Sequence, residues 1–159
     1  SIAEITSQYL ASLETMRQLT TAQVLSKESG ESALEADLKI DTSASHEMVT
    51  FYTASPRPGS RFEKIVRLID LRVPTERNHV MRDPFLAIDL HEDAGIKVDD
   101  VERVLGRPGD LHVPEPNPRT SASYIYTIGP HRLWVSNGHD AARSVCSISV
   151  HRNEKGGGE

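Results

Sequence analysis

The sequence GIKVDDVERVLGRPGD, residues 95–110, carries the clearest local pattern in the chain. Val98 and Val101 begin a run of apolar residues at spacings of three and four, which predicts one buried helical face. The pair Asp99–Asp100 falls in the first turn, where the helix dipole favours negative charge. Gly106 is placed to end the helix. This stretch therefore predicts a short amphipathic helix followed by a turn.

Two more stretches, YIYTIGPHRLWVSN (124–137) and ARSVCSISVH (142–151), alternate apolar and polar residues, as strands do. The turn signals Gly129–Pro130 and Asn137–Gly138 separate them. The strand candidates are Ala122–Ile128, His131–Ser136 and Arg143–His151. The C-terminal third is therefore predicted to be a helix followed by three antiparallel strands.

The middle of the chain predicts three further strands. Met48–Ala54 is rich in β-branched and aromatic residues. Phe62–Val73 is apolar on both faces in its centre, which is typical of an interior strand that ends at Pro74. Phe85–His91 alternates cleanly, with Leu86, Ile88 and Leu90 on one side.

The N-terminal part is less regular. Residues 2–17 carry apolar side chains at helical spacing and predict an amphipathic helix. Thr20 or Thr21 is a candidate cap for a second short helix. Residues 26–46 are polar and small, which predicts a loop around Gly30 and one short element near Leu34 and Leu38.

These elements predict one α+β domain over residues 1–151, with helices packed on one face of an antiparallel sheet. Residues 152–159 are expected to form a disordered tail. An internal duplication is the alternative organisation: Thr21–Val73 and Ile96–His151 each read as a short helix followed by strands.

Charge and composition restrict the function classes. The chain has 159 residues, a formal net charge of −5 and 26% charged residues. Its densest basic run, from Arg57 to Arg72, is interleaved with acidic residues, so we expect no nucleic-acid partner. No stretch approaches the about 20 apolar residues that span a bilayer. The sequence begins at Ser1 rather than Met, which suggests a processed start.

The histidine, cysteine and serine residues are the candidates for catalytic or metal-binding chemistry. His91 lies two residues from Asp89 and next to Glu92 and Asp93, but no recognised ligand spacing occurs. Cys146, the single cysteine, alternates in phase with Ile148 and Val150, so we expect a buried, structural thiol. No catalytic residue, metal or cofactor is therefore predicted.

An aromatic and basic set on the C-terminal strands is the strongest candidate site. Tyr124 and Tyr126 share one strand face, and Arg132 and Trp134 share a face of the next strand. These residue types dominate protein-binding hot spots. For Trp134, packing in the core under the helix is the favoured alternative role.

Residues Gly95–His151 resemble the SmpA/OmlA type of small outer-membrane lipoprotein and the related β-lactamase-inhibitor-protein fold. The most specific piece is the step from Val101 to Pro108, which has the form Val-x-x-x-Leu-Gly-x-Pro. The resemblance implies helices on one face of a short antiparallel sheet and action by binding other proteins. The chain departs from the lipoprotein pattern, since Cys146 lies inside a strand candidate and no N-terminal cysteine is present.

The resulting hypothesis is a non-enzymatic, protein-binding module of the bacterial cell envelope, periplasmic or exported. An immunity protein or enzyme inhibitor is a narrower variant. A small metal-dependent hydrolase using His91 and its neighbours is the alternative of another class. We expect binding through residues 110–140, where the proline-rich run Val113–Pro118 is already stiff. The oligomeric state, a cytoplasmic location and the partner's identity stay open.

Overall fold

The computed structural model describes residues 25–113, 122–138 and 143–152, together with Arg17. These residues form an α+β fold with two helices, α1 (Lys27–Leu34) and α2 (Val98–Leu105), and one eight-stranded sheet. The strands are β1 (Lys39–Ile40), β2 (Val49–Ala54), β3 (Val66–Pro74), β4 (Phe85–Leu90), β5 (Asp110–His112), β6 (Ser123–Ile128), β7 (His131–Asn137) and β8 (Val145–Arg152).

The strand order is β1-β2-β3-β4-β8-β7-β6-β5, and every neighbouring pair is antiparallel. The sheet is therefore two four-stranded meanders that meet at β4 and β8. Each meander follows a helix in the chain, so the described residues divide into two halves of like topology. The two halves match the helix-plus-strands pattern that the sequence suggested, but β4 belongs to the first half, beyond the predicted boundary at Val73.

One face of the sheet carries the core. Cross-strand partners lie on the same side of a sheet, so the register of Ile69, Ile88 and Ile148 places these buried residues on one face. Leu34 of α1 and Val98 and Val101 of α2 belong to the same buried cluster. Both helices therefore pack on this face, which we call the helix face. No helix of the described residues packs on the opposite side, which we call the open face.

Helix α2 follows its sequence prediction closely. Val98 and Val101 are buried, and Asp99–Asp100 occupies the first turn. The Asp100 side chain accepts a hydrogen bond from the backbone N–H of Lys97, which satisfies a donor that the helix itself cannot. Gly106 takes the left-handed conformation, with φ of 74°, and ends the helix.

Helix α1 replaces the loop that was expected around Gly30, so that prediction was wrong. Ser26 caps the helix by accepting a hydrogen bond from the backbone N–H of Ser29. Gly30 and Leu34 form the buried stripe, which is too sparse to give an amphipathic signal. Cap geometry and tertiary burial together stabilise a helix that propensity disfavours.

The strand predicted over Phe62–Val73 starts later than expected. Residues 61–65 form a helical turn in which the backbone N–H of Val66 donates to the carbonyl of Phe62. Phe62 and Ile65 are fully buried, so their apolar character marks the core rather than a strand. The strand is interior, between β2 and β4, and ends at Pro74 as predicted.

The predictions at the two ends have different outcomes. Apart from Arg17, the helix predicted over residues 2–17 lies outside the described residues. The same holds for the short helix with Thr20 or Thr21 as its candidate cap and for the loop beyond Val113. Arg152 was assigned to the tail but closes β8, and residues 153–159 are not described. Within the described part of the chain, no helix has the length and apolar character needed to cross a membrane.

Candidate functional site

A row of aromatic and basic side chains crosses the open face of the sheet. The register aligns five of its members across five strands of the sheet. In order across the face they are Phe51, Arg72, Phe85, His151 and Arg132. Trp134 follows Arg132 by two residues on β7 and lies on the same face. Its cross-strand partners are Ser149 on β8 and Ile125 on β6. We call these six residues the open-face row; all of them are half-buried.

Ring contacts join the row into a continuous surface. The guanidinium of Arg72 lies 5.0 Å from the ring centre of Phe51 and 5.4 Å from that of Phe85. The Phe85 and His151 rings stack at 6.1 Å, and the His151 and Trp134 centroids are 6.4 Å apart. Cation–π and stacking contacts of this kind hold large side chains in place without removing them from the surface.

The row extends to the sheet edge through His112. The His112 ring meets Trp134 edge-on, with 5.5 Å between the centroids. His112 belongs to β5, the edge strand of the second half, and its side chain is exposed. The aromatic surface therefore runs from β2 to β5, with members on every strand between them except β6.

The charges on this face are mostly neutralised locally. Arg72 forms an ion pair with Asp70 at 3.1 Å. Arg67 pairs with Asp89 at 2.9 Å. By contrast, Arg132 makes no ion pair within the part of the chain that the structure describes, and its Nε atom is buried without a hydrogen bond. The buried indole Nε1 of Trp134 likewise lacks an acceptor.

The structure places the four candidate binding residues predicted from the sequence on two different faces of the sheet. Arg132 and Trp134 share a face, as predicted, and it is the open face. Tyr124 and Tyr126 also share a face, but it is the helix face, because Tyr126 is opposite the buried Leu133. The favoured core role for Trp134 under the helix was therefore wrong, since Trp134 lies on the face opposite the helices.

Tyr126 is one of the largest fully buried side chains, with 1% of its surface exposed. A Cβ atom added to Gly109 would lie 2.7 Å from Cε2 of the Tyr126 ring, so the ring packs directly on the backbone there. Burial, and then the nearby Glu102 carboxylate, raises the pKa of the Tyr126 hydroxyl. Tyr126 is accordingly a structural residue.

Tyr124 belongs to a polar contact beside α2. Its hydroxyl accepts a hydrogen bond of 3.2 Å from Arg143, whose guanidinium also lies 5.5 Å from the Tyr124 ring centre. Arg143 pairs with Asp99 and lies 3.7 Å from a carboxylate oxygen of Glu102. The hydroxyl of Tyr124 and the carboxylate of Asp99 raise the pKa of Arg143. This cluster fastens the start of β8 to α2 and β6.

Cys146 is exposed, which contradicts the expected burial. The pairing of β7 with β8 passes from Ser136↔Ser147 directly to Asn137↔Val145. Cys146 is therefore the extra residue of a β-bulge, and the alternation shifts by one position there. Val145 takes the buried position, and the thiol lies 3.3 Å from the carbonyl oxygen of Ser136.

The histidine and carboxylate cluster at the end of β4 does not converge. The His91 ring contacts the carbonyl oxygen of Glu63 at 3.1 Å, and Asp89 is held by Arg67 on the open face. No group of three or more potential ligands occurs among the residues that the structure describes. The described geometry thus gives no support to the hydrolase alternative.

Sequence reasoning missed four members of the row: Phe51, Arg72, Phe85 and His151. Each occupies the polar phase of a predicted strand, but they come from four separate strands. Only the order of strands brings them together, and that order includes the β4–β8 junction between residues far apart in sequence. The isolated signal was a large aromatic or arginine side chain in the solvent-facing phase of each strand.

Comparisons with known proteins show a similarity at the level of the fold. No family model matches the chain, and no curated protein matches it. The structure is similar to that of a DUF4309 family protein, YjgB, from Bacillus subtilis subsp. subtilis strain 168, with a TM-score of 0.52 and 12% identity. The match covers 89% of this chain and 97% of the other. At this identity the likeness concerns the fold alone.

Proposed function

We propose that this chain is a non-enzymatic protein-binding module whose open face contacts another protein. The observation that carries the proposal is the continuous aromatic and basic row, from Phe51 on β2 to Trp134 on β7. Arg, Trp and other aromatic residues supply most hot-spot energy in protein interfaces. Here they lie on the sheet face opposite the core, where folding of the described residues alone does not account for them.

The rigidity of the row favours binding. Its residues come from interior strands, and ring contacts hold every side chain except that of Arg132 against a neighbour. Association costs less free energy when few side chains must be ordered. A rigid surface in which aromatic and basic side chains alternate is suited to a folded partner rather than to a flexible small molecule.

The bacterial cell envelope is the proposed location, and a folded envelope protein is the proposed partner. This part of the proposal rests on the resemblance of Gly95–His151 to small outer-membrane lipoproteins and to β-lactamase-inhibitor-type domains. The helix-and-sheet arrangement of α2 and β6–β8 is compatible with it. Inhibition of an enzyme or toxin, by covering its active site, is the narrower form of the same proposal.

Site-specific photo-cross-linking in the native cells tests the proposal. A photoreactive phenylalanine analogue at Phe85 is expected to capture one protein, because Phe85 lies in the middle of the row. The same analogue at Glu28, an exposed residue of α1, is the control for non-specific capture. Fractionation of the cells then shows whether the captured complex is in the envelope.

A second variant connects the captured protein to the row. Trp134→Ala is expected to weaken the complex by about 2 kcal/mol or more, as for a hot-spot residue, with the cross-linker still at Phe85. The melting temperature should change little, since Trp134 lies outside the core. Equal capture from Phe85 and Glu28, or capture unaffected by Trp134→Ala, would contradict the proposal.

A further inference from the structure

Arg132 differs from the other arginines of the open face. Arg72 and Arg67 each have a carboxylate within 3.1 Å. Among the described residues Arg132 has none; its cross-strand neighbours are Thr127 and His151. An arginine is charged at every physiological pH and offers five N–H donors. A half-buried arginine without an anion therefore has unused capacity to bind one.

Trp134 adds a second unused donor two residues away on the same strand face. Its Nε1 atom and the Nε atom of Arg132 are both buried and both lack a hydrogen bond. Leaving a buried donor without an acceptor is unfavourable, so such groups are uncommon in folded proteins. Two of them next to each other, on one face, indicate a position that an acceptor fills in the bound state.

We infer that Arg132 and Trp134 bind a carboxylate of the partner, the side chain of an Asp or Glu residue. The inference rests on the proposed function, since it names the chemistry that the partner brings to the open face. Arg132 supplies the charge, and the indole N–H of Trp134 supplies a neutral donor beside it. The exposed His112 ring lies edge-on to Trp134, at the side of this position.

The surroundings favour a single carboxylate over a more highly charged anion. Asp70 and Asp89 lie on the same face and already neutralise Arg72 and Arg67. The chain has a formal net charge of −5, which repels polyanions such as nucleic acid. Phe85, stacked on His151 next to Arg132, offers apolar contact to the residues that flank an acidic side chain in a protein.

Nuclear magnetic resonance titration of the full, ¹⁵N-labelled chain tests the inference. Trp134 is the only tryptophan, so the spectrum contains a single indole N–H signal. The probes are acetyl-glutamate amide and, as the neutral control, acetyl-glutamine amide. The glutamate probe should move the Trp134 indole signal and the Arg132 Nε–H signal saturably, with Kd in the millimolar range expected of one charged contact, about 1–50 mM. The glutamine probe should move neither.

Two variants and two further probes determine which groups and which anion are involved. Arg132→Gln should weaken glutamate binding at least about tenfold, whereas Arg67→Gln, at an open-face arginine outside the row, should leave it unchanged. Acetylglycine tests a terminal carboxylate, and inorganic phosphate tests a general anion site. A stronger response to either of these, or no response to acetyl-glutamate amide up to about 50 mM, would overturn the inference.

Failure of the inference is distinguishable from failure of the proposed function. If the glutamate probe has no effect while Trp134→Ala still removes the cross-linked protein, the binding face stands and its carboxylate chemistry is wrong. If no protein is captured from Phe85, the proposed function itself fails. Trp134→Phe separates the two donors, because it keeps an aromatic ring but removes the N–H, and should weaken glutamate binding less than Arg132→Gln.

Discussion

The two halves of the molecule have the same topology but different residues in their cores. Each is a helix followed by a four-stranded meander, and in each the helix ends on a residue in the left-handed conformation: Glu35 in the first half and Gly106 in the second. Beneath its helix, the first half fills the core with Phe62 from a turn. The second half fills it with Tyr126 from a strand, packed on Gly109.

The open face differs between the halves in a way that bears on function. In the first half each open-face arginine is paired, as in Arg72–Asp70 and Arg67–Asp89. In the second half Arg132 and Trp134 have buried donors without acceptors. The two halves therefore share a backbone topology, but their open faces differ. In the first half the charged groups pair with each other, whereas the second half has buried donors without acceptors. Binding specificity is expected to reside in the second half.

The largest expected effect tests the difference between the two cores. Tyr126→Ala should lower the free energy of unfolding by about 3–5 kcal/mol, because it empties a fully buried aromatic position. Tyr52→Ala, on the equivalent second strand of the first half, should cost less, because Tyr52 is only partly buried. Chemical denaturation of both variants measures the difference. Equal losses would mean that the halves depend on their tyrosines to the same degree.

Gly109→Ala should have the next largest effect. The new Cβ atom would lie 2.7 Å from the Tyr126 ring, inside van der Waals contact, and the ring is enclosed by the core. Overpacking of this kind typically costs about 1–3 kcal/mol. The double variant Gly109→Ala with Tyr126→Ala provides the check: the methyl group should then cost much less than in the single variant. A cost that is the same with and without the ring would contradict the packing explanation.

The helix and strands of the second half could be predicted from the sequence because the residues that indicate each element lie within or next to it. The helix at Val98 has apolar spacing, an acidic first turn and a glycine stop, and each signal was correct. Helix α1 lacks such spacing and is stabilised by the Ser26 cap and by burial of Leu34, so it was read as a loop. The β4–β8 junction has no local signal at all, since it joins Ile88 to Ile148.

The candidate site was predicted only in part, for a related reason. Placing Arg132 and Trp134 on one face needed only strand periodicity, and this was confirmed. Which face carries the helices depends on the sheet as a whole, so strand periodicity alone could not show that Tyr126 is buried and that Trp134 lies on the open face. The phase of the strand did contain a clue, because Arg132 and Ser136 alternate with Leu133 and Val135.

The ionisation of Tyr126 should make the second half sensitive to alkali. Burial raises the pKa of Tyr126 in the folded state above its unfolded value, so the folded protein holds this proton longer. The stabilising contribution is complete below the unfolded pKa of about 10 and is lost as pH rises through the folded value. Urea denaturation at increasing pH should show this fall. Tyr126→Phe should flatten the dependence, whereas Tyr124→Phe should leave it in place.

The smallest effect concerns the bulge at Cys146, which distinguishes the strand pairing of the second half. Cys146→Ser should change the free energy of unfolding by no more than about 0.5 kcal/mol, because the side chain is exposed and contributes nothing to the core. For the same reason, a thiol reagent should label Cys146 in the native protein at close to the rate found in the unfolded chain. Val145→Ser, next to it but buried at 4% exposure, is the matched control and should be clearly destabilising. Slow labelling of Cys146, or a loss of stability in Cys146→Ser as large as in Val145→Ser, would mean that the strand alternates without a bulge. The thiol would then point into the core, as the sequence alone suggested.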